Sequence, residues 1–366
     1  MLETRAAHPR PFSISVFDPH EASGESWEKF HRYWQLRTEE DHPGERRTSN
    51  ADTERALREH LPLQAFHRIL ANCEGEFIGS LTLSFRREGS PDHAAFAPYL
   101  DAWGGVLRPH RRRGVASALL SVLLSFMQEH GKTTASIKAH LPEGHAFLAA
   151  IGAAEKHRAV ENRAAFDALP WDELARWQSQ ALASCRALGL RLEIHAGRVP
   201  FDRLASLIAP FSALINDAPT NALDMPRMRY ELENYRTWYA DMSRRGGEHF
   251  LVLLLDGDEV AAMCDASWDQ RFPDRMYQQL TAVAPRWRGK GLAKGVKAAM
   301  LALVREHHFE VTTVITSNAE VNAPMLSINH RLGFAPHRHD AVYQIGPESL
   351  RAFLSTRPLD PMERYQ

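Results

Sequence analysis

The chain has 366 residues, 44% of them apolar and 24% charged, enough apolar material to fill two sizeable cores. Its net charge of −1 argues against a nucleic-acid-binding surface as the main function, although Arg111, Arg112 and Arg113 form a local basic cluster. Cys73, Cys185 and Cys264 are far apart and lack metal spacing, which suggests core packing in a reducing cytoplasm; no apolar run approaches the ~18–20 residues of a membrane span, and the first residues lack a signal-type apolar region.

In chain order, residues 1–11 read as a loose lead-in, and alternation over 12–17 predicts a first strand. Trp27, Phe30, Tyr33 and Trp34 recur at helical spacing. An acidic turn at 39–45 holds Asp41, and 50–60 reads as a polar-faced helix capped near Asn50 or Thr53. Residues 66–74 and 77–86 flank Gly75 as a strand hairpin. After a loop over 88–97, a strand at 99–107 enters a basic loop. A strand at 133–140, a short helix at 143–151 and a strand at 155–166 complete a first half.

From 170 to 189 the spacing of Leu174, Trp177, Ala181 and Cys185 predicts a helical linker. The order then restarts. A strand at 190–195, a helix at 200–214, a turn from Asn216 to Pro219 and a long helix over 225–245 precede a second hairpin, 250–255 with 259–267. A strand at 277–284 enters a second basic loop, followed by a strand at 311–317, a helix at 323–332 ending at Gly333 and a last strand at 342–345. The expected division is 1–169, a linker at 170–189, and 190–366.

The two basic loops carry the chemistry. Each follows a strand, contains Arg-x-x-Gly-x-Ala (Arg111, Gly114, Ala116; Arg288, Gly291, Ala293) and opens a helix with apolar residues at a 3.6-residue period. Such a junction aims unpaired backbone N–H groups and the positive end of the helix dipole at one point, which favours a phosphate. Arg288 lies 177 residues after Arg111, and the Asp-x-Pro turns at Asp41 and Asp217 lie 176 apart, so two independent matches at nearly one offset indicate a duplicated domain. A dinucleotide fingerprint fits poorly, because Lys294 stands where its third small residue belongs. His307, His308, His337 and His339 have no carboxylate or cysteine at ligand spacing, and no metal is expected.

This motif set resembles the GCN5-related N-acetyltransferase (GNAT) superfamily, as a tandem pair. With the second motif come Asn318, Asn322, Asn329 and Leu332, Gly333, Phe334, similar to an acyl-CoA segment ending in Leu-Gly-Phe, and the chain looks most like two-domain acetyltransferases of the mycothiol synthase group. The first half keeps the loop but has Ala150, Ile151, Gly152 and Ala153 in place of that segment. The resemblance implies two α/β domains, each a mixed, mostly antiparallel sheet flanked by helices. It implies acetyl-CoA as ligand, with Arg288, Gly289, Lys290, Gly291, Leu292 and Ala293 on its pyrophosphate, Val283 pairing the pantetheine arm, and Asn318 and Asn322 on the arm's other side. In the first half the corresponding residues are Val106, Arg111, Arg112, Arg113, Gly114, Val115 and Ala116.

The implied reaction is direct attack of a neutral amine on the thioester carbonyl, polarised by a strand N–H. Relatives often carry a basic carboxylate on the strand before the loop and a tyrosine acid four residues before the Gly of Gly-Phe. Ten residues before Arg111 is Asp101, whereas Gln278 precedes Arg288 by ten; the tyrosine positions hold Leu148 and Asn329. Asp101 and Asn329 are therefore the catalytic candidates, with Asp265 and Asp269 as weaker bases. Asp41 and Asp217 are either turn residues or rim carboxylates for a cationic substrate. The partner expected is a small-molecule amine met by a cytoplasmic monomer or homodimer. The rivals are a CoA-binding scaffold or sensor without turnover and a nucleic-acid-linked acetyltransferase.

Overall fold

The computed structural model describes residues 12–59, 61–90, 92–219 and 222–356; the lead-in expected at 1–11 lies outside them. The described chain forms β1 (Ser13–Val16), α1 (Gly24–Asp41), α2 (Asn50–Arg58), β2 (Gln64–Cys73), β3 (Glu76–Arg86), α3 (His93–Phe96), β4 (Tyr99–Val106), α4 (Val115–Glu129), β5 (Thr134–Ala139), α5 (Pro142–Ala150) and β6 (Ala154–Ala165). Then follow α6 (Trp171–Leu188), β7 (Arg191–His195), α7 (Phe201–Asn216), α8 (Leu232–Arg244), β8 (Gly247–Asp256), β9 (Glu259–Asp269), β10 (Arg275–Val283), α9 (Leu292–His307), β11 (Thr313–Ala319), α10 (Ala323–Arg331), β12 (Ala335–Ile345) and α11 (Pro347–Ser355).

Two compact units result. One takes the residues up to Lys156 together with those from Val342 on; the other takes His157–Ala341. These limits differ from the expected 1–169 and 190–366. Most of β6 belongs to the second unit, and the end of β12 with α11 belongs to the first. The first unit's sheet runs β1-β2-β3-β4-β5 and then the end of β12, antiparallel through β4 and parallel between β4 and β5. The second unit's sheet runs from the start of β12 through β6-β11-β10-β9-β8-β7, with β10 and β11 its parallel pair.

In the second unit, alternation along the strands sends side chains to two faces. Phe250, Val252, Cys264 and Ala266 pack with Val296, Met300 and Val304 of α9, whereas Leu251, Leu253, Leu255 and Met263 pack with Leu204, Leu207 and Phe211 of α7 and Met242 of α8. The segment expected as a linker is α6, whose Leu174, Trp177 and Cys185 belong to the α9-side core. There Gly295 of α9 admits α6 so closely that a Cβ on it would overlap that of Ala181.

The long helix expected over 225–245 starts only at Leu232. The Asn216 amide binds the preceding segment instead, donating to the Met228 carbonyl (2.6 Å) and accepting its N–H (2.8 Å). Glu231 and Asn234 then close a capping box. The cap of α2 is Ser49, whose hydroxyl accepts the Asp52 N–H.

Candidate functional site

In the second unit β10 and β11 pair only from Arg275–Thr313 to Gln278–Thr316, while β10 runs on to Val283 with β9 alone, so the parallel pair opens into a fork beyond Gln278. At the same point β10 carries a bulge. Gln278 opposes Ala266 and Thr281 opposes Cys264, leaving Gln279 and Leu280 opposite Asp265. The extra residue reverses which face each side chain meets. Gln278 is buried toward α9, with its carbonyl oxygen accepting from Lys297 and its amide 3.2 Å from Cys264 Sγ, whereas Leu280 and Ala282 line the α7/α8 core. Burial lowers Lys297 to about 8 and raises Cys264 to about 11.

Beyond the fork, Trp287 anchors the loop in the core and Gly289 and Gly291 both take left-handed backbone (φ +77°), the second as N-cap of α9. Arg288 folds back to donate from Nε to the Val283 carbonyl (3.2 Å) and pairs with Asp217. The first unit repeats this frame, with β4 and β5 paired from Tyr99–Thr134 to Ala102–Ile137 while β4 runs on to Val106 along β3. Arg111 Nε donates to the Val106 carbonyl (2.9 Å), and its guanidinium meets Glu40 (3.3 Å) and Glu143 (3.1 Å). Both the Glu40–Arg111 and the Asp217–Arg288 pairs span 71 residues, so the structural counterpart of Asp217 is Glu40 rather than Asp41. Asp41 pairs with Arg37. The carboxylates of both expected substrate-side residues, Asp41 and Asp217, are thus engaged by arginines.

Three features separate the units. The β3–β4 register is uninterrupted from Gly79–Val106 to Ser84–Asp101, so the first fork has no bulge. Arg112 takes left-handed backbone (φ +63°) at the position of Gly289, and Gly114 (φ +90°) caps α4 as Gly291 caps α9. Finally, α1 reaches into the strand of the first fork. The Tyr33 hydroxyl, raised to about 12 by burial, is 2.8 Å from Ser80 Oγ and donates to the Gly105 carbonyl (3.0 Å). Arg37 lies against Gly105, where a Cβ would stand 2.6 Å from its nitrogen. In the Glu40–Asp217 frame, α7 carries Pro210 and Leu214 at these positions, neither with a side-chain donor.

Asp101 is exposed on β4 opposite Ser84, with desolvation raising its carboxyl and Arg86 opposing. Asn329 is buried; its amide donates to Asn318 Oδ1 (2.6 Å), and its own Oδ1 has no partner among the described residues. An amide so placed positions Asn318 and has no proton to give a thiolate. Asn322 caps α10, accepting the Met325 N–H (3.4 Å).

The α7/α8 face holds a polar cluster of which the sequence disclosed only Asp265. Its Oδ1 accepts the Leu280 N–H of the bulge (2.7 Å), and its Oδ2 lies 3.9 Å from His249 Nε2. The His249 ring is buried, and its Nδ1 is 2.7 Å from the Tyr239 hydroxyl. Burial raises Asp265 to about 7, against the Leu280 bond, and lowers His249 to about 3, so the imidazole is neutral. Asp269 contrasts: although burial opposes it, Arg271 and Arg245 hold that carboxyl below its usual range. Period-two spacing, His249 with Leu251 and Asp265 with Met263, would have put both residues on one face. Tyr239 left no such signal. Among the described residues no group of three or more His, Cys, Asp or Glu is arranged to hold a metal ion, and no helix is long and apolar enough to cross a membrane.

Paired forks, each closed by a basic loop at a helix N-terminus, define a class of acyltransferase fold, and the comparisons agree. The profile of the acetyltransferase (GNAT) family matches residues 27–158 and 213–334. The chain belongs to that family, as a tandem member. Among solved structures it is similar to a tandem GNAT protein from the clavulanic acid biosynthesis pathway (TM-score 0.66, 21% identity, 92% of this chain and 98% of that one). It also resembles a GCN5-related N-acetyltransferase from Sphaerobacter thermophilus (0.62, 14%, 93% and 97%). A third is a glucosamine N-acetyltransferase region of a fungal multi-domain β-N-acetylglucosaminidase (0.64, 14%, 92% and 38%). At these identities the likeness is one of fold. No curated protein matches the chain in sequence.

Proposed function

We propose that this chain is an acetyl-CoA-dependent N-acetyltransferase whose second unit performs the reaction on a small-molecule amine, in the cytoplasm and without nucleic-acid or membrane partners. The observation that carries this is the contrast between the forks. The second has a bulge, two left-handed glycines and no donor from α7 on its strand; in the first, Tyr33 and Arg37 lie on the strand. The N–H groups from Arg288 to Ala293 would hold the pyrophosphate at the positive end of α9, the strand near Val283 the pantetheine amides, and Asn318 and Asn322 the arm's far side. Val106 and the Arg111–Ala116 loop are the first unit's relic of this arrangement, with Arg111 satisfied by Glu40 and Glu143.

A second reading, a CoA-binding module without turnover, is favoured by one feature: Leu148 and Asn329 stand where relatives place a tyrosine acid. A broad amine screen by thiol release, with mass spectrometry of the product, separates the two. Turnover that is lost in Gly291→Trp supports the enzyme. Tight acetyl-CoA binding without turnover on any amine supports the module, and absence of binding overturns both.

A further inference from the structure

We propose that Asp265 and the aromatic side chains around it are the acceptor site of the second unit, taking a protonated primary amine with an apolar or aromatic body, and that Asp265 receives the amine's proton. This rests on the second unit being the catalytic one.

The carboxylate is fixed where the acyl chemistry is expected. The Leu280 N–H that holds Oδ1 belongs to the bulge at the mouth of the fork, so Asp265 is one hydrogen bond from the strand flanking it. The counterpart on β3 is Thr82, three residues on from Gly79 as Asp265 is from Ala262, and it bears no charge. The first unit therefore lacks this group.

The carboxylate also lacks a counter-charge. Among the described residues no lysine or arginine pairs with it, whereas Asp269, four residues on, has two arginines. The neighbouring imidazole does not serve. The Tyr239 hydroxyl accepts the Val199 N–H (3.1 Å) and has one proton to give His249 Nδ1, a pairing in which the neutral ring carries its own N–H on Nε2. That nitrogen, on a fully buried ring, has no hydrogen-bond partner and faces Asp265 across 3.9 Å, too far for a hydrogen bond. A half-buried carboxylate beside a neutral donor is costly unless a cation arrives from outside.

The walls specify that cation. Tyr230 and Tyr235 lie near enough to Asp265 for its charge to raise both hydroxyls beyond the larger effect of burial, and the Trp238 ring meets His249 edge-on at 4.8 Å; all three rings pack on the same α7/α8 core as Leu280 and Ala282 of β10. Ring faces attract an ammonium, and the same rings offer an apolar or aromatic body a contact surface. In the step itself the ammonium gives one proton to Asp265, and the nitrogen lone pair forms the C–N bond at the thioester carbonyl as the C–S bond breaks. The second nitrogen proton passes to the departing sulfur, leaving amide and free thiol.

The test uses the full chain with 2-phenylethylamine as probe and glucosamine and spermidine as contrasts. Asp265→Asn keeps an oxygen for the Leu280 N–H. It should bind acetyl-CoA within about twofold of the parent, bind 2-phenylethylamine at least about tenfold more weakly and acetylate it ~10²–10⁴-fold more slowly. The parent's rate should rise through the neutral range and level off as Asp265 becomes ionised, whereas the variant's, dependent on amine that is already neutral, should go on rising at higher pH; Tyr230, Tyr235, Tyr239 and His249 are the titratable groups facing Asp265 from the α8 side and from β8. Tyr235→Leu should raise KM for the amine with acetyl-CoA binding unchanged. The proposal is overturned if Asp265→Asn binds and acetylates the amine like the parent, or if the parent prefers glucosamine or spermidine. Loss of acetyl-CoA binding in the parent would instead sink the catalytic reading, while amine binding still tests Asp265.

Discussion

Arg112 and Gly289 occupy the same left-handed turn of two loops, and they should respond to substitution with opposite signs. A side chain there costs about 1 kcal/mol or more. Arg112→Gly should raise stability toward urea by that order, and Gly289→Ala, with open space around it, should lower it. Gly291 of the second loop was legible because its motif requires it, whereas Gly289 and Arg112 stand at a position the motif leaves open, and the conformation of Arg112 was hidden by a side chain that ordinarily avoids it. Asp265 makes a pH prediction. Its folded pKa, about 7, lies above its unfolded value, so the unfolded chain ionises first and stability falls as pH rises from about 4 to 7. Asp265→Asn, which has no such charge to desolvate, should therefore gain thermal stability over the parent at pH 8 relative to pH 5, on the order of 2 kcal/mol.

The decisive element is the bulge in β10. Counting ten residues back from each loop arginine pairs Asp101 with Gln278, but one extra residue sends Gln278 to the α9 side and brings Asp265 of the neighbouring strand to the fork. Period-two patterning fixes a face only while the ladder is regular, so the bulge escaped a reading that recovered both hairpins and both strand-loop-helix junctions. The segment before α8 was misjudged for a related reason: Met225, Met228 and Leu232 recur at helical spacing, yet Asn216 and Ser212 of α7 bind the backbone at Met228 and Tyr230 by side-chain hydrogen bonds. The α6–α9 contact also has a testable edge. Gly295→Ala would push against Ala181 Cβ, and despite alanine's better helix propensity the net loss in chemical denaturation should be about 1–3 kcal/mol.

At the scale of the molecule, the duplication was legible because one offset related both loops, but the membership of the units was not. β6 and β12 read as strands whichever sheet they join, so nothing in their patterns said that residues from 342 on complete the first unit and that residues 157–165 belong to the second. A fragment ending at residue 169 lacks the β12 segment and α11, which packs on α4, and should melt less cooperatively than the full chain by circular dichroism. Two units of one fold have diverged, with one fork carrying α1 side chains on its strand and the other a bulge and an uncompensated carboxylate. Calorimetric titration of acetyl-CoA against the parent, Arg288→Glu and Arg111→Glu chains tests this division. The account predicts one molecule bound per chain, with binding abolished by Arg288→Glu and kept by Arg111→Glu; two bound per chain, or loss through Arg111→Glu alone, would contradict it.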